Sequence, residues 1–331
     1  VVWTGSVVMP RTMDGCIGLS TQDSMRLYVD DKLLIDGWGK EKSADQALDF
    51  HFEAGRAYKI RIEFVNDRRG ARVIFGYSAG RENFPAAVEA ARKADVAILC
   101  MGDNEETSGE NFDRTDLNLP GRQLELVQAV YATGTPVVLV LQSGRPVTAN
   151  WENDHLPAIL EAWFPGEQGG TAIAKTLFGD AAPGGRLPIT FPRSVGQIPC
   201  HYSRRPGGGK RYVEMDWLPL YPFGYGLTYT TFAYRDMALS RSVIDPQDTV
   251  TVSVTVTNTG KYTGDAVPQL YVRDMFSSVV KPERQLAAFR RLTLAPGESR
   301  RVELTVGPKQ LRTLGPDYVW RVEPGKFELQ L

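Results

Sequence analysis

Apolar residues recur at every second position through the first 80 residues, which is the spacing of β-strands with one buried and one solvated face. Asp30-Asp31 separates two such runs, and a short polar pair between strands predicts a hairpin. We therefore expect residues 1–80 to form an all-β sandwich or barrel, with a boundary at Ser78-Ala79-Gly80. The clearest predicted strands are 26–29, 32–35, 58–64 and 71–77.

The pattern changes after residue 81, where short apolar runs alternate with stretches of helical period. This alternation predicts an α/β sandwich over residues 81–234, with a mostly parallel sheet covered on both faces. The predicted strands are 96–100, 136–141 and 158–163, and the predicted helices are 85–92, 123–131 and 169–178. Helix 123–131 is expected to present Leu124, Val127 and Tyr131 on one face. Gly179 closes the last helix, and a loop rich in Gly, Pro and Tyr, 202–234, is expected to wrap the domain.

Alternation with a period of two returns after residue 235, most regularly at the valines of 250–256. Further alternating runs and the turn Pro296-Gly297 favour a small immunoglobulin-like sandwich over residues 235–331. The fold class expected for the whole chain is therefore multidomain: a β-sandwich fragment, an α/β sandwich and a second β-sandwich.

The composition is that of an ordinary globular protein, with 42% hydrophobic and 23% charged residues in a chain of 331. A net charge of -1 gives no reason to expect nucleic acid or a membrane surface as a partner, and no apolar stretch is long enough to span a bilayer. The three cysteines are too few and too scattered for a disulfide framework. Cys100 lies within an apolar run and is expected to be buried.

The first residues, Val1-Val2-Trp3-Thr4-Gly5, read as the middle of a β-domain, without an initiator Met or a signal sequence. We therefore expect the chain to be part of a longer polypeptide. A soluble protein is expected, but the sequence does not distinguish secreted, periplasmic and cytoplasmic locations.

Residues 101–116 form a loop that is unusually dense in carboxylates. The loop follows the predicted strand 96–100, and open α/β sheets bind their ligands beyond the carboxyl ends of their strands. This acidic loop is therefore the candidate functional segment. Its carboxylates are Asp103, Glu105, Glu106, Glu110, Asp113 and Asp116.

Several motifs together resemble the C-terminal half of glycoside hydrolase family 3 enzymes, the β-glucosidase and β-xylosidase group. Motifs of the α/β part lie at 158–170, 177–180, 183–192 and 221–229, and motifs similar to the fibronectin type III-like domain lie at 264–265, 269–272 and 281–286. Residues 1–80 resemble the second half of a protective-antigen-type β-domain, on the motifs 3–5, 26–29 and 35–38.

The resemblance implies a retaining, exo-acting β-glycosidase that hydrolyses terminal β-linked sugars. In this family an N-terminal TIM-type barrel carries the nucleophilic Asp, and no such segment is present here. The expected partners are therefore a β-linked glycoside or oligosaccharide and the missing barrel segment of the same enzyme, with a homo-oligomer as a further option. No cofactor is expected.

Retaining glycosidases need a nucleophilic carboxylate and a general acid/base about 5–5.5 Å apart, and the acid must hold its proton through burial or a neighbouring negative charge. Ser108-Gly109-Glu110 matches the family pattern for the acid/base loop, so the resemblance implies that Glu110 has this role. The alternatives are a structural role for Glu110 and a neighbouring carboxylate as the acid/base. Glu105 and Glu106 are either a solvated face or the source of the negative charge.

The other carboxylates of the acidic loop have simpler interpretations. Asp113, Arg114 and Asp116 fit a local ion pair and a cap before the next helix. A second catalytic role for Asp103 or Glu106 rests only on the number of carboxylates. Ser143-Gly144-Arg145-Pro146 follows a predicted strand and is either a structural turn or a second wall of the same crevice.

Trp38 is the candidate for substrate binding outside the acidic loop. It follows Asp36-Gly37 at a turn, where its ring either stacks on a sugar or packs against the sandwich. No metal site is expected, because the three histidines are scattered and Thr21-Gln22-Asp23-Ser24 lacks the paired aspartates of calcium-binding relatives. Gly207-Gly208-Gly209 follows no strand, which argues against a phosphate site. The alternative function is a non-catalytic carbohydrate-binding or scaffold protein.

Overall fold

The computed structural model describes residues 1–21, 23–39, 46–66, 72–78, 84–207 and 211–331. The chain divides into two compact units, Val1–Glu89 and Ala90–Leu331. The predicted boundary at 78–80 lies partly outside the described residues, so the three predicted domain limits stay predictions. Within the described ranges, no helix is long and apolar enough to cross a membrane.

The first unit contains two antiparallel sheets. Their strand orders are β1-β6-β3-β4 and β5-β2-β7. The hairpin predicted at Asp30-Asp31 is confirmed: it joins β3 to β4, and both aspartates have positive φ (49° and 66°), as a type I′ turn requires. The strands are β1 (Val2–Val8), β2 (Met13–Thr21), β3 (Ser24–Val29), β4 (Lys32–Asp36), β5 (Gln46–Phe52), β6 (Ala57–Val65) and β7 (Val73–Ser78).

One hydrophobic core is shared by the two sheets of the first unit, so the predicted β-sandwich is confirmed. Strand β6 shows the predicted alternation, with Tyr58, Ile60, Ile62 and Phe64 buried. Strand β1 was not predicted, because its residues are almost all exposed and carry no alternating pattern. The remaining core residues are Met9, Ile17, Leu19, Met25, Leu27, Val29, Ile35 and Phe52.

A parallel sheet in the order β10-β9-β8 begins the second unit, as predicted from the alternation of strand and helix. Helices α1 and α2 match their predicted limits, and helix α4 ends one residue before its predicted end, followed by Gly179 with φ 83°. The elements are α1 (Pro85–Arg92), β8 (Ala97–Gly102), α2 (Gln123–Tyr131), β9 (Val137–Gln142), α3 (Asn150–His155), β10 (Ala158–Glu161) and α4 (Gly169–Leu177), followed by a 3-10 turn (Val195–Gln197).

Two details of this sheet differ from the prediction. Cys100 is exposed rather than buried, and so is Ile98, which points to the same face of β8, so this face of the strand is open to solvent. On α2, Val127 and Val130 are buried, whereas Tyr131, which shares the predicted face with Val127, is exposed. Tyr131 instead packs its ring edge-on against Trp151 of α3, with ring centroids 5.3 Å apart.

The C-terminal part forms the predicted β-sandwich, built from antiparallel sheets in the orders β11-β12-β17 and β15-β14-β20 with the pairs β13-β16 and β18-β19. Its core is centred on the inward side chains of β12, including Val252, Val254 and Val256. The elements are β11 (Phe232–Leu239), β12 (Val250–Asn258), β13 (Gly264–Ala266), β14 (Gln269–Asp274), β15 (Gln285–Phe289), β16 (Leu292–Leu294), β17 (Ser299–Val306), α5 (Pro308–Leu311), β18 (Thr313–Leu314), β19 (Trp320–Arg321) and β20 (Phe327–Gln330).

The loop before β11 is packed directly against this C-terminal sandwich. The Gln269 side-chain amide donates to the Gly224 carbonyl at 3.1 Å. Gly224 has φ 81°, and a Cβ there would lie 2.2 Å from Gln269 Oε1 and 2.9 Å from the Tyr271 hydroxyl. Only glycine fits this contact, so the close approach of the loop to the sandwich requires glycine at position 224.

Candidate functional site

The acidic loop begins at a point fixed by three elements. Gly102, the last residue of β8, donates its N–H to Gln123 Oε1 at 2.7 Å and accepts from Gln123 Nε2 at 2.8 Å. The next residue, Asp103, donates its N–H to the Gln142 carbonyl at the end of β9 at 2.9 Å. Gly102 has φ 141°, and a Cβ there would lie 1.9 Å from that same carbonyl oxygen. The start of the loop is therefore held by β8, β9 and the first residue of α2.

Asp103 is the buried carboxylate of the loop and has a structural partner. Its side chain is 3% exposed and forms an ion pair with Arg145. It also accepts a hydrogen bond from the Thr107 hydroxyl at 3.1 Å, while Arg145 donates to the Thr107 carbonyl at 2.8 Å. Asp103 and Arg145 thus tie the loop to the residues after β9. These contacts give Asp103 a structural role.

The segment 143–146 was predicted to be either a turn or a wall of the same crevice, and it has features of both. Ser143 is buried and its hydroxyl donates to the Arg145 carbonyl at 2.6 Å and accepts from the Arg145 N–H at 3.1 Å, which is a local turn. The Arg145 side chain leaves this turn and contacts the acidic loop.

Two consecutive turns carry the loop from Asn104 to Phe112. Asn104 Oδ1 accepts from the N–H groups of Glu106 and Thr107 at 3.0 and 3.1 Å, and Thr107 Oγ1 accepts from the Asn104 N–H at 3.0 Å. In the second turn the Phe112 N–H donates to the Gly109 carbonyl at 3.2 Å, with Asn111 at φ 67°. Positive φ at the third position is tolerated by asparagine, and it leaves Glu110 at the outer corner, exposed.

The remaining carboxylates of the acidic loop either make local contacts or are exposed. Asp116 lies 3.5 Å from Arg114, which is the predicted local ion pair, and it accepts from the Asn118 N–H at 2.9 Å in a local turn. The predicted helix cap was wrong, because α2 follows Arg122 and has no side-chain cap. Asp113 is exposed, as are Glu105 and Glu106. The loop therefore divides into two engaged aspartates and an exposed group that includes Glu110.

Trp38 lies just after β4 in the first unit, and its side chain is partly covered. The Arg26 guanidinium is 4.7 Å from the centre of the Trp38 ring. Both residues also bind the Asp36 carboxylate: the Trp38 N–H donates to it at 3.2 Å, and Arg26 Nε donates to it at 3.1 Å. The residue remains 40% exposed. One ring face therefore contacts Arg26, and the two original alternatives, sugar stacking and packing, are both compatible with this arrangement.

Glu161 is a buried carboxyl that the sequence analysis did not single out. It is the last residue of β10, at the same edge of the sheet as Gly102. Its Oε1 accepts from the Trp163 N–H at 2.9 Å, and its Oε2 is buried without a hydrogen-bond partner among the described residues. Burial raises the pKa of Glu161 to about 7. The available signal was a single acidic residue in the apolar run 158–163.

No group of three His, Cys, Asp or Glu side chains lies close enough to bind a metal ion within the part of the chain that the structure describes. Two of the histidines have other contacts: His51 Nδ1 lies 2.6 Å from Asp14 Oδ1, and His155 Nδ1 lies 2.7 Å from the Trp151 carbonyl. Gln22, Gly208 and Gly209, which belong to the two motifs considered for calcium and phosphate, lie outside the described residues.

Comparison with known families assigns most of the chain. Residues 14–229 match the glycosyl hydrolase family 3 C-terminal domain, and residues 266–331 match the fibronectin type III-like domain. The chain belongs to glycoside hydrolase family 3. The resemblance inferred from the motifs is thereby confirmed, and the acidic loop is part of the family 3 C-terminal domain.

Named relatives in family 3 are β-xylosidases and β-glucosidases. A β-xylosidase from Formosa agariphila is 46% identical over 285 residues, which cover 83% of this chain and 39% of that protein. A periplasmic β-glucosidase from Salmonella typhimurium is 43% identical over 73% of this chain and 33% of that protein. A β-glucosidase from Rhizobium radiobacter is 35% identical over 98% of this chain and 44% of that protein. The chain thus spans less than half the length of these relatives.

Solved structures give the same result. A β-glucosidase from Erythrobacter marinus matches 74% of this chain and 34% of that chain with a TM-score of 0.72 at 43% identity. A β-glucosidase from Kluyveromyces marxianus in complex with glucose matches 99% of this chain and 42% of that chain with a TM-score of 0.69 at 29% identity. The order of the two sandwiches and the parallel sheet is therefore a family 3 architecture.

Proposed function

We propose that this chain is the C-terminal part of a retaining, exo-acting β-glycosidase of the β-glucosidase type, and that Glu110 is its general acid/base. The observation that carries the proposal is the placement of Glu110 at the exposed corner of a loop whose start is held by β8, β9 and α2. Family 3 membership and the relatives named β-glucosidase and β-xylosidase support the reaction class.

The nucleophile in this proposal is an Asp on an N-terminal TIM-type barrel outside the 331 residues. The short span of the chain relative to its relatives leaves room for such a domain. The barrel Asp attacks the anomeric carbon while Glu110 gives its proton to the leaving oxygen, which forms a glycosyl-enzyme and releases the aglycone. Ionised Glu110 then takes a proton from water, the water oxygen attacks the anomeric carbon, and the Asp is released.

The local structure suits a group that acts across a domain boundary. An acid/base must lie within hydrogen-bond distance of the leaving oxygen, about 2.6–3.2 Å, so its loop needs a defined starting point. Gln123, Asp103 and Arg145 supply that point. The exposed corner at Glu110 leaves its carboxyl open to a sugar and to a partner domain.

The first prediction concerns Glu110 in the whole enzyme. Glu110→Gln should lower kcat/KM for an alkyl β-glycoside by about 10²–10⁴, because the leaving oxygen loses its proton donor. A 2,4-dinitrophenyl β-glycoside should be affected much less in the first step, since its leaving group needs no proton. Azide should restore cleavage of this activated substrate by Glu110→Ala, with formation of the β-glycosyl azide measured by chromatography.

Glu105→Gln is the matched control, because Glu105 is an exposed carboxylate on the same loop. It should retain the activity of the unsubstituted enzyme. Full activity of Glu110→Gln on the alkyl glycoside would refute the assignment. A whole protein that binds oligosaccharides in calorimetry but hydrolyses none of them would instead be a non-catalytic carbohydrate-binding protein.

The proposal also includes Trp38, in the first unit, as a residue that contacts a sugar. Trp38→Ala should raise KM about three- to tenfold with little change in kcat, because stacking on an aromatic face contributes about 0.5–1.5 kcal/mol. Trp38→Phe should keep KM close to that of the unsubstituted enzyme, because phenylalanine retains an aromatic face. Trp3→Ala, which removes another exposed tryptophan of the same unit, is the control. Steady-state kinetics with an unchanged KM in Trp38→Ala would assign the ring to packing with Arg26.

A further inference from the structure

A cleft of about 1,030 Å³ lies in the second unit between the loop segments 190–205 and 212–222 and the C-terminal sandwich. Its described lining residues come from that loop and from the range 273–330, and none belongs to the acidic loop. The volume is at the upper end of the range for small-molecule sites, about 300–1,000 Å³. The cleft is therefore large enough for a short oligosaccharide.

The two walls of the cleft are fixed to each other. Tyr202 stacks on Phe223 with ring centroids 4.1 Å apart, and its hydroxyl accepts from the Leu286 N–H at 3.2 Å. The Arg204 carbonyl accepts from the Glu283 N–H at 2.8 Å. These contacts form the cleft before any ligand arrives, which reduces the ordering cost of binding.

Positive charge dominates the described part of the lining, which contains four arginines and one carboxylate, Glu283. Arg204 is occupied: its Nε lies 2.9 Å from Glu283 and its guanidinium lies 4.2 Å above the Trp217 ring. Arg273 lies 3.7 Å from Glu328. Since the whole chain carries a net charge of -1, this concentration of positive charge is local to the cleft.

Arg205 and Arg284 are the arginines available to a ligand. Both are exposed, and neither has a carboxylate partner among the described residues; the Arg284 guanidinium lies 5.5 Å from the Tyr271 ring centre. A guanidinium binds a carboxylate or sulfate through two parallel hydrogen bonds, which are stronger than neutral ones. An anionic group on the ligand could therefore bind two guanidinium groups that no carboxylate of the described residues neutralises.

Aromatic surface lies beside these arginines. Trp217 is 39% exposed although Arg204 covers part of its ring, and Tyr212 is held by a hydrogen bond from its hydroxyl to the Gly196 carbonyl at 3.0 Å. Aromatic faces pack well against the C–H faces of pyranose rings. The combination of ring faces and free guanidinium groups suits a sugar that carries a negative charge.

We propose that this cleft binds a short anionic oligosaccharide, with its carboxylate or sulfate on Arg205 and Arg284 and a sugar ring against Trp217. The saccharide class rests on the proposed glycosidase function, whereas the negative charge rests on the arginines. The cleft would let the protein hold an acidic stretch of a polysaccharide in addition to the terminal sugar that it cleaves.

Isothermal titration calorimetry on the whole protein at low ionic strength tests this with three probes. Tetragalacturonate carries only carboxylates, a κ-carrageenan tetrasaccharide carries only sulfates, and cellotetraose is neutral. At least one anionic probe should bind about tenfold or more tightly than cellotetraose, and which one binds identifies the anionic group. The double variant Arg205→Ala, Arg284→Ala should weaken that binding about tenfold or more, because it removes two charge-assisted contacts.

The matched control is Arg235→Ala, Arg241→Ala, which removes the same charge from β11 and the residues after it. It should leave binding unchanged. Failure of both anionic probes to bind, equal binding of cellotetraose, or binding that survives Arg205→Ala, Arg284→Ala would overturn the proposal. Tighter binding of uridine monophosphate than of either anionic saccharide would overturn the saccharide class.

The same titration in Glu110→Gln separates this inference from the proposed reaction. Binding of the anionic probe should persist in this variant, because Glu110 is not among the residues that line the cleft. An active enzyme without anionic binding would refute the cleft alone. Anionic binding together with full activity of Glu110→Gln would refute only the acid/base assignment.

Discussion

At the scale of single residues, Glu161 combines a raised pKa with a buried carboxyl oxygen that has no partner in the part of the chain that the structure describes. Its carboxyl lies at the end of β10 and accepts from the N–H of Trp163, a residue with φ 53°. Ionised carboxylates are costly to bury without partners for both oxygens, and Oε2 has none among the residues described. The protonated form avoids most of that cost.

Glu161 should therefore make stability depend on pH. Its pKa of about 7 lies above the ordinary value of 4.5, so its stabilising contribution is complete below pH 4.5 and is lost as the pH rises through about 7. At about 1.4 kcal/mol for each pKa unit, the upper limit is about 3 kcal/mol. Glu161→Gln should remove this loss, because its amide oxygen still accepts from Trp163 and carries no charge.

Thermal unfolding measured between pH 4 and pH 8 tests this prediction. Glu161→Gln should show a flatter decline of Tm above pH 5 than the unsubstituted protein. Glu167→Gln is the control, since Glu167 is exposed and near in sequence. Parallel pH profiles for the unsubstituted protein and Glu161→Gln would contradict the assignment.

At the scale of elements, the acidic loop is a connection between β8 and α2 that α2 itself holds in place. Gln123 begins α2 and binds both backbone groups of Gly102. A one-turn shift of α2 would therefore break both hydrogen bonds. The position of α2 and the start of the acidic loop are therefore coupled. Glu110 lies in the same loop, eight residues after Gly102.

Gln123→Ala should act on catalysis as a loss of positioning. We expect kcat for an alkyl β-glycoside to fall about ten- to a hundredfold with little change in KM, and a 2,4-dinitrophenyl glycoside to be less affected, because only the proton transfer depends on the place of Glu110. Gln128→Ala on the same helix is the control. An equal loss of rate on both substrates would indicate a general folding defect instead.

The elements were predictable from the sequence where local signals were strong. Pro85 and the apolar periodicity predicted α1, and the valine-rich run at 136–141 predicted β9. Helix α3 gave no such signal, because its six residues, Asn150–His155, are mostly polar. Strand β5 was missed for a similar reason: only its last side chain, Phe52, is buried.

Contacts between distant residues were beyond the sequence analysis. The loop was predicted as the candidate site, but the partnership of Asp103 with Arg145, 42 residues apart, depends on the parallel alignment of β8 and β9. Cys100 was expected to be buried because an apolar run normally lies inside a sheet. It is exposed because the face of β8 that carries Cys100 and Ile98 is open to solvent, which composition alone does not reveal.

At the scale of the whole molecule, the change of hydrophobic period near residues 81 and 235 predicted the succession of folds correctly. The compact units follow a different division, because the α/β part and the C-terminal sandwich belong to one unit. The loop 202–234 explains this: it was expected to wrap the α/β part, and it also contacts the sandwich through Gly224, Tyr202 and Arg204.

The tight fit at Gly224 limits how this protein can be rebuilt. A truncation that removes β11 and all later residues would expose Gly224 to solvent. It would also remove the residues of the sandwich that line the arginine-rich cleft. A chimera that received its last hundred or so residues from a relative would need a compatible glutamine and tyrosine opposite residue 224. The C-terminal sandwich is therefore difficult to exchange between relatives, although its sequence pattern is typical of an independent domain.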